Sequence, residues 1–358
     1  MRILYFGVYE PSYARNWVLI NGLRKNGVDV LELRQRPGRF ALLKLFFGYL
    51  KFKKDYDAMI VGFPGQEVMF LARFLTRKPI IFDAFTSHYG GYILDRKKWA
   101  KNSLRAKYFK FLDKWSCKLA DVVLLDTSAH IDFFVGEFSL TREKFRRIWI
   151  GANDENFKPA EDARSFDGKF RVIFFGTYVP LQGAEYIVRA AKILENEEDT
   201  IFQFIGKGQD KPKSIELAKE LGLKNIEFTD MMKPENLKIE IARSDVVLGL
   251  FGDTPKTPLV IPNKVYEALA MKKPVITADT KAIRELFDEN DMYLVKPADP
   301  EDLAKAIMEL KNNSELRRKL AENGYKKFKE NASHKVLGAE LLKIDLLLNN
   351  FRKENLKF

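Results

Sequence analysis

Residues 260–277 read VIPNKVYEALAMKKPVIT, a loop that leads into a helical pattern and then into an apolar run. A Pro-Asn pair suits the start of a helix, an Ala/Leu face follows, and Lys-Lys-Pro ends the pattern before the apolar residues. Lys264 and Glu267 are three residues apart and therefore share one face of the first turn. The stretch predicts a helix over 263–271 that packs back into a buried strand.

The start of this predicted helix also has the chemistry of an anion site. Unpaired N–H groups and a partial positive charge collect at a helix N-terminus, and Lys264 adds a full charge that suits a phosphate. The carboxylate of Glu267, one turn further on, can accept hydrogen bonds from sugar hydroxyls. Two interpretations stay open at this point, a nucleotide-sugar site and an ordinary capped surface helix.

Short apolar runs alternate with helical patterns along the rest of the chain. Strands are predicted at 2–7, 28–33, 57–62, 79–84, 121–125 and 146–150, and again at 170–175, 200–205, 225–228, 245–250, 274–277 and 292–295. Helices are predicted between them, including 14–26, 66–76, 103–119, 183–196, 212–221, 234–243, 263–271 and 300–311. Such alternation is typical of βαβ units in parallel, doubly wound sheets.

Two blocks of this kind in tandem predict an α/β protein with two Rossmann-like domains that face each other across a cleft. We expect an N-terminal domain over 1–155, a C-terminal domain over 156–330 and a helical tail over 331–358 that crosses back. The join falls in the turn-rich stretch that follows residue 150. A chain of 358 residues is long enough for both cores.

The composition excludes several classes of protein. With 46% hydrophobic and 31% charged residues, the chain is globular rather than disordered. A single cysteine rules out an internal disulfide, and three scattered histidines argue against a zinc enzyme. Because we find neither a long apolar run nor a secretory cleavage signal, we expect a cytoplasmic protein, either free or peripheral on the inner face of a membrane.

The net charge of +12 is placed unevenly. Residues 1–155 carry 27 Lys and Arg against 16 Asp and Glu, whereas residues 156–358 are nearly balanced. Within the basic half, residues 34–54 contain no acid, and Phe40, Leu43, Phe47 and Leu50 recur there at helical spacing. This pattern predicts contact with an anionic membrane surface, or else a crossover helix with a solvated basic side. Because the basic half has no motif that reads bases, we expect no nucleic-acid partner.

Candidate ligand-binding residues follow from the fold class. Ligands of doubly wound sheets bind beyond the carboxyl ends of the strands, here the loops 7–14, 83–95, 126–130, 176–183, 206–211 and 251–263. Gly7 and Gly176 each end a first strand, where a missing side chain either admits a ligand or simply allows a turn. Weaker candidates in these loops are Asp126, Thr127 and His130. His334 is expected to lie on the surface.

Five segments in order resemble the retaining glycosyltransferases of family 4, which have the GT-B fold. Residues 175–183, 204–208 and 242–248 are similar to its Gly-Arg-Leu-x-x-x-Lys-Gly loop, its Gly-x-Gly turn and its x-x-x-Asp-Val-x-Leu strand. Residues 151–154 are similar to its interdomain Asn-Gly-Val-Asp signature, and residues 260–277 to its Glu-Ala-x-Ala-x-Gly-x-Pro-Val-Ile run. The resemblance covers most of the chain and is strongest from 150 to 310.

The resemblance implies transfer of a sugar, with retention, from a nucleoside-diphosphate sugar to a saccharide acceptor, either free or lipid-linked. UDP or GDP is the expected nucleotide, and neither a cofactor nor a metal ion is implied. Glu267 takes the place of the glutamate that holds the ribose. Asp83 and His88 fall in a loop near the transferred sugar and acceptor, as catalytic candidates or as ordinary loop residues. Two rivals remain, a GT-B epimerase or phosphorylase and a non-catalytic subunit that binds the nucleotide sugar.

The chain departs from the family pattern where the donor diphosphate is expected. The Arg and Lys that clamp it in most relatives fall at Thr177 and Gln182, and the first Glu of the Glu-x7-Glu motif falls at Leu259. A diphosphate still needs cations or aligned N–H donors. The replacements that we expect are Asn263 and Lys264 of the Pro-Asn-Lys variant, Lys256 unless it is a solvated loop residue, and Arg15 from the facing domain.

Overall fold

The computed structural model describes residues 1–52, 55–160 and 167–355, with side chains as far as Ile344. The chain forms two compact units. Unit 1 comprises residues 1–93, 97–151 and the C-terminal segment from Asn331, and unit 2 comprises Ala152–Glu330 together with Leu94–Arg96.

Unit 1 is built on a six-stranded parallel sheet. Its strands are β1 (Arg2–Val8), β2 (Asp29–Gln35), β3 (Ala58–Val61), β4 (Ile80–Asp83), β5 (Val122–Leu125) and β6 (Phe145–Arg147), in the order β2-β1-β3-β4-β5-β6. Its helices are α1 (Ala14–Lys25), α2 (Ala41–Lys51), α3 (Val68–Leu75), α4 (Leu104–Leu119) and α5 (Ser128–Phe138). Since parallel crossovers are right-handed, α1 lies on one face of the sheet and α2 to α5 lie on the other.

Unit 2 repeats the architecture. Its strands are β7 (Phe170–Tyr178), β8 (Thr200–Gly208), β9 (Ile226–Thr229), β10 (Val246–Leu248), β11 (Val275–Ala278) and β12 (Tyr293–Val295), in the order β12-β11-β10-β7-β8-β9. Its helices are α6 (Ala184–Ile193), α7 (Lys211–Glu220), α8 (Pro234–Arg243), α9 (Asn263–Ala270), α10 (Pro300–Asn312) and α11 (Ser314–Asn331). The strand order reverses between β7 and β10, so their carboxyl ends form the switch point where ligands bind in such sheets.

The last helix, α12 (His334–Asn355), returns to unit 1 and packs against α1. Two glycines allow the close approach, because a Cβ on Gly338 would lie 2.1 Å from the carbonyl oxygen of Gly22. The ring of His334 lies edge-on to Trp17, with the centroids 5.2 Å apart. Our prediction that the tail crosses back is confirmed. The prediction that His334 lies on the surface is wrong, because its side chain faces α1 and is 7% exposed.

The fold class predicted from the sequence is confirmed, and each predicted strand is present within a few residues of its expected place. The strands could be predicted from the sequence because they are buried and rich in Val, Ile, Leu and Phe, as in parallel sheets covered on both faces. In the part of the chain that the structure describes, no helix is long and apolar enough to cross a membrane.

Candidate functional site

The carboxyl end of β7 in unit 2 presents bare backbone. Gly176 has φ +128° and pairs with Gly206, whose φ is +147°. A Cβ on Gly206 would lie 1.9 Å from the carbonyl oxygen of Gly176, so only glycine fits there. The two strand ends therefore leave an open backbone surface at the switch point of the sheet.

Lys264 lies over this surface, at the second residue of α9. Its side chain is only 4% exposed, and its Nζ lies 3.6 Å from the centre of the Phe174 ring. A Cβ built on Gly176 would lie 3.8 Å from the same Nζ. Among the described residues, the Lys264 ammonium has no hydrogen-bond partner. Burial lowers the pKa of Lys264 well below its usual value, although the charge of Glu267 opposes the shift.

Glu267 follows one turn later on α9 and is partly exposed. Burial raises its pKa to about 7, with the charge of Lys264 acting in the opposite direction. Asn263, the first residue of the helix, is partly exposed as well. The helix N-terminus thus brings together a buried cation, a carboxyl that titrates near neutrality and a polar amide.

The loop after β7 packs against the loop after β10. The amide of Phe251 donates to the Gln182 carbonyl at 3.1 Å, and the amide of Gly252 donates to the Leu181 carbonyl at the same distance. Thr177 is exposed, whereas the Gln182 side chain is buried and its Oε1 accepts no hydrogen bond from the described residues. Neither position supplies the positive charge that the family pattern has there.

A buried acid that sequence reasoning missed joins these two loops. Asp95 is 1% exposed and accepts hydrogen bonds from the Leu181 amide at 2.9 Å and the Thr254 hydroxyl at 3.0 Å. Burial raises its pKa, and the nearby charge of Lys256 opposes the shift. Lys256 is half-buried, and its charge acts on this carboxylate.

Comparisons with known proteins agree with this geometry. The HepE protein of Anabaena, solved with UDP-glucose, superposes with a TM-score of 0.73 at 16% identity, over 96% of this chain and 99% of that one. Sheet order and superposition together define the architecture. The chain has the GT-B fold.

Sequence comparisons find glycosyltransferases among the proteins that this chain resembles. The family model for glycosyl transferases group 1 matches residues 157–327 of this GT-B chain, which is most of unit 2. A mannosyltransferase of Mycolicibacterium hassiacum, the MMP α-(1→4) enzyme, is 23% identical over 69% of the chain. The α-D-kanosaminyltransferase of Streptomyces kanamyceticus is 24% identical over 60% of it. The chain spans 59% and 57% of the lengths of these two curated relatives. These matches show that residues 157–327 are similar to group 1 glycosyl transferases and that the chain has named glycosyltransferases among its relatives.

Two candidates in unit 1 of the GT-B chain bind each other instead of facing a ligand. Arg15 and Asp83 are both 0% exposed and form a salt bridge at 2.8 Å. The guanidinium also donates to the Ile148 and Trp149 carbonyls at 2.7 and 2.8 Å. Arg15 was expected to contact the diphosphate and Asp83 to orient an acceptor. The structure corrects both expectations, since each side chain is buried and engaged within unit 1.

The weaker candidates after β5 are also part of the interior. Asp126 and His130 are each 1% exposed, and their side chains are hydrogen-bonded at 2.7 Å. The Thr127 hydroxyl accepts the His130 amide at 3.0 Å and caps α5. These three residues order the start of a helix rather than face a ligand.

The last two candidates in unit 1 are His88 and Gly7, whose roles stay predictions. His88 is partly exposed in the loop after β4, and its Nδ1 is buried without a hydrogen-bond partner among the described residues. Its amide donates to Asp113, which also accepts from Ser87 and Tyr89. Gly7, with φ +151°, is the last residue but one of β1 and is buried. A Cβ there would lie 3.4 Å from the ring of Tyr9.

Proposed function

We propose that the protein is a retaining glycosyltransferase that moves a sugar from a nucleoside-diphosphate sugar to a saccharide acceptor. The observation that carries this proposal is the buried, unpartnered ammonium of Lys264 over the bare backbone of Gly176. Leaving a cation in such a place costs several kcal/mol unless a partner arrives. A diphosphate at the N-terminus of α9 is a partner of the right charge.

Lys264 and the residues around it each bind a different part of the donor. Lys264 and the amides at the start of α9 stabilise the negative charge that develops on the departing diphosphate. Glu267 accepts hydrogen bonds from the ribose, as its place in the family pattern implies, and Asn263 offers an amide at the helix start. Gly176 lets the phosphates approach the backbone. Thr177, Gln182 and Lys256 line the neighbouring loops as polar donors.

The relatives support the class of donor. The HepE protein of Anabaena has been solved with UDP-glucose, and two curated relatives are named as sugar transferases. We therefore expect UDP or GDP as the nucleotide here. We expect the cations above to hold the diphosphate without a metal ion. Transfer that persists in EDTA would bear out a metal-independent reaction.

We assign the acceptor to unit 1, where His88 falls in a loop that the family pattern places near the transferred sugar. The positive charge of the first 155 residues suits an anionic acceptor, such as a saccharide on a lipid phosphate. The apolar row predicted on residues 34–54 is exposed on α2: Phe40 by 57%, Leu43 by 52%, and Phe47 and Leu50 each by 53%. Ala41, Leu45 and Tyr49 on the opposite side are buried. We therefore propose work at an anionic membrane surface on the cytoplasmic side, with α2 in contact with it; Lys53 and Lys54 of that segment lie outside the described residues.

The donor site is tested by a thermal-shift screen against UDP, GDP, ADP and their common sugar conjugates. A nucleotide at 100 times its dissociation constant adds about 2.7 kcal/mol to the stability of the folded state. Stabilisation by one base that is lost in both Lys264→Ala and Glu267→Ala establishes the site and names the nucleotide. Lys305→Ala, an exposed lysine on α10, is the matched control and keeps the full shift. If no nucleotide stabilises the wild type at millimolar concentration, the proposal fails.

A non-catalytic subunit that binds the nucleotide sugar is the second candidate. The uncharged residues Thr177 and Gln182, which stand where relatives carry the clamp, favour it. A protein that binds the nucleotide but releases none from its sugar conjugate, with or without saccharide acceptors, is this subunit. Release that Lys264→Ala abolishes establishes the enzyme.

A further inference from the structure

Helix α4 carries a row of exposed apolar side chains that the proposed function does not use. Leu104, Tyr108, Phe111 and Trp115 are exposed by 83%, 50%, 47% and 42%. At 100° per residue the four lie within an arc of about 60°, on one side of the helix. Ala106, Phe109, Leu112 and Ser116 on other sides of α4 are buried, so the helix is already anchored in unit 1 without this row.

Helix α3 continues the apolar row towards α2. Phe74 is 79% exposed, and Phe70 stacks on Phe111 of α4 with the centroids 6.1 Å apart and the rings 15° from parallel. Helix α3 contacts both α2 and α4. The exposed apolar residues of α3 and α4 therefore lie on the same face of the sheet as those of α2. Exposed apolar patches of this kind mark an interaction site.

The charges beside the α4 row are almost all positive. The helix carries five basic residues: Arg105, Lys107, Lys110, Lys114 and Lys118. Its one acid, Asp113, is fully buried and occupied by Ser87 and two backbone amides. The ammonium of Lys118 lies 4.9 Å from the centre of the Trp115 ring, which places a cation at the edge of the apolar row. Apolar side chains bordered by cations match a bilayer with anionic headgroups.

We propose that the row Leu104, Tyr108, Phe111 and Trp115, together with Phe74, docks on an anionic lipid bilayer. The aromatic side chains enter the boundary between headgroups and acyl chains, where Trp and Tyr are favoured. Lys107, Lys114 and Lys118 contact the lipid phosphates. This inference rests on the proposed membrane-side function of α2 and adds a second ridge, so that two helices rather than one fix the orientation of unit 1 on the membrane.

The experiment is co-sedimentation of the full chain with vesicles of phosphatidylcholine alone and with one-third phosphatidylglycerol. We expect binding only to the anionic vesicles, with affinity that falls as NaCl rises from 0.1 to 0.5 M because screening weakens it. Phe111→Ser combined with Trp115→Ser lowers the affinity roughly tenfold or more. Lys107→Gln combined with Lys118→Gln lowers it on the order of 5-fold for each lysine.

The control is Met231→Ser combined with Ile239→Ser in unit 2. Those side chains are exposed by 42% and 44%, nearly as much as Trp115 and Phe111, but lie outside the proposed surface. This control is expected to bind anionic vesicles like the wild type. Equal binding by wild type and the Phe111/Trp115 variant overturns the inference, as does equal binding to both kinds of vesicle.

Two further measurements separate lipid docking by α4 from the proposed donor site and from dimerisation of the chain. The nucleotide thermal shift of the Phe111/Trp115 variant is expected to match the wild type. A variant that keeps the nucleotide shift but also keeps its lipid affinity therefore refutes the α4 surface and leaves the donor site standing. Light scattering that shows a dimer dissolved by the same substitutions means that a second copy of the chain covers the row, and this also overturns the proposal.

Discussion

Among the described residues, each unit buries one Lys or Arg side chain near the carboxyl ends of its central strands, and the two side chains differ in their partners. In unit 1 the Arg15 guanidinium meets the carboxylate of Asp83 and two backbone carbonyls. In unit 2 the Lys264 ammonium lies over an aromatic ring and meets no hydrogen-bond acceptor among the described residues. Both side chains are nearly inaccessible to solvent.

The pKa values express the same difference. Burial alone disfavours the charged form of each residue. For Arg15 the charge and hydrogen bonds of Asp83 more than offset burial, and its pKa is raised. For Lys264 only the charge of Glu267 opposes burial, and its pKa is lowered well below the usual value. A buried cation that its own chain neutralises is structural, whereas one that it leaves without a partner indicates a missing anion.

The largest effect is expected from breaking the buried salt bridge between Arg15 and Asp83. Asp83→Asn leaves the Arg15 charge buried without its counterion and is expected to destabilise the fold by about 3–5 kcal/mol. Urea unfolding followed by circular dichroism measures the loss. Asp132→Asn is the control, because Asp132 pairs with Arg142 on the surface, where both side chains are about half exposed, and such pairs contribute about 1 kcal/mol or less. A loss no greater than in the control would show that the interior pair is not structural.

Removing the other cation is expected to cost no stability in the absence of ligand. Lys264→Met keeps the apolar stem over Phe174 and removes a group that burial penalises, so the free energy of unfolding stays the same or rises by on the order of 1 kcal/mol. The gain of about 2.7 kcal/mol that saturating nucleotide gives the wild type is expected to disappear. Denaturant curves with and without nucleotide measure both quantities. A variant as unstable as Asp83→Asn would contradict the distinction between the two cations.

The raised pKa of Glu267, beside Lys264, leads us to expect that stability depends on pH. Its folded pKa of about 7 lies above the ordinary 4.5, so the folded state holds a proton that the unfolded state has lost between these values. Stability from Glu267 is therefore fully present below pH 4.5 and is lost as pH rises to 7. Glu267→Gln is expected to remove that decline. Melting temperatures of both proteins from pH 4.5 to 7.5 measure it, and parallel curves would refute the shift.

The contrast between the two cations also shows what sequence reasoning can reach. The strands and the start of α9 are local patterns, and they were predicted within a few residues. The partners of a side chain are not local. Asp83 is 68 residues from Arg15, and Asp95 is 86 and 159 residues from the groups it joins, so nothing near it in sequence indicated its place. Lys264 could be named as a candidate because its position at the start of its own helix is a local feature of the sequence.

The smallest effect is expected at Gly176. There the room for a side chain and the strain of its positive φ can be tested separately. A methyl group there would meet Lys264 at 3.6 Å, an ordinary contact, but the φ of +128° disfavours alanine. Gly176→Ala is therefore expected to cost about 1 kcal/mol of stability and to weaken nucleotide binding, because the methyl group lies where an anion would approach the ammonium.

Gly222→Ala provides the matched strain without the site. Its φ is +67°, and a methyl group there meets nothing within 4 Å. It is expected to cost a similar free energy in urea unfolding yet to keep the full nucleotide shift. If both alanine variants bind nucleotide equally, the backbone at Gly176 is not part of the anion site. The ammonium of Lys264 would then need a ligand that approaches from another side.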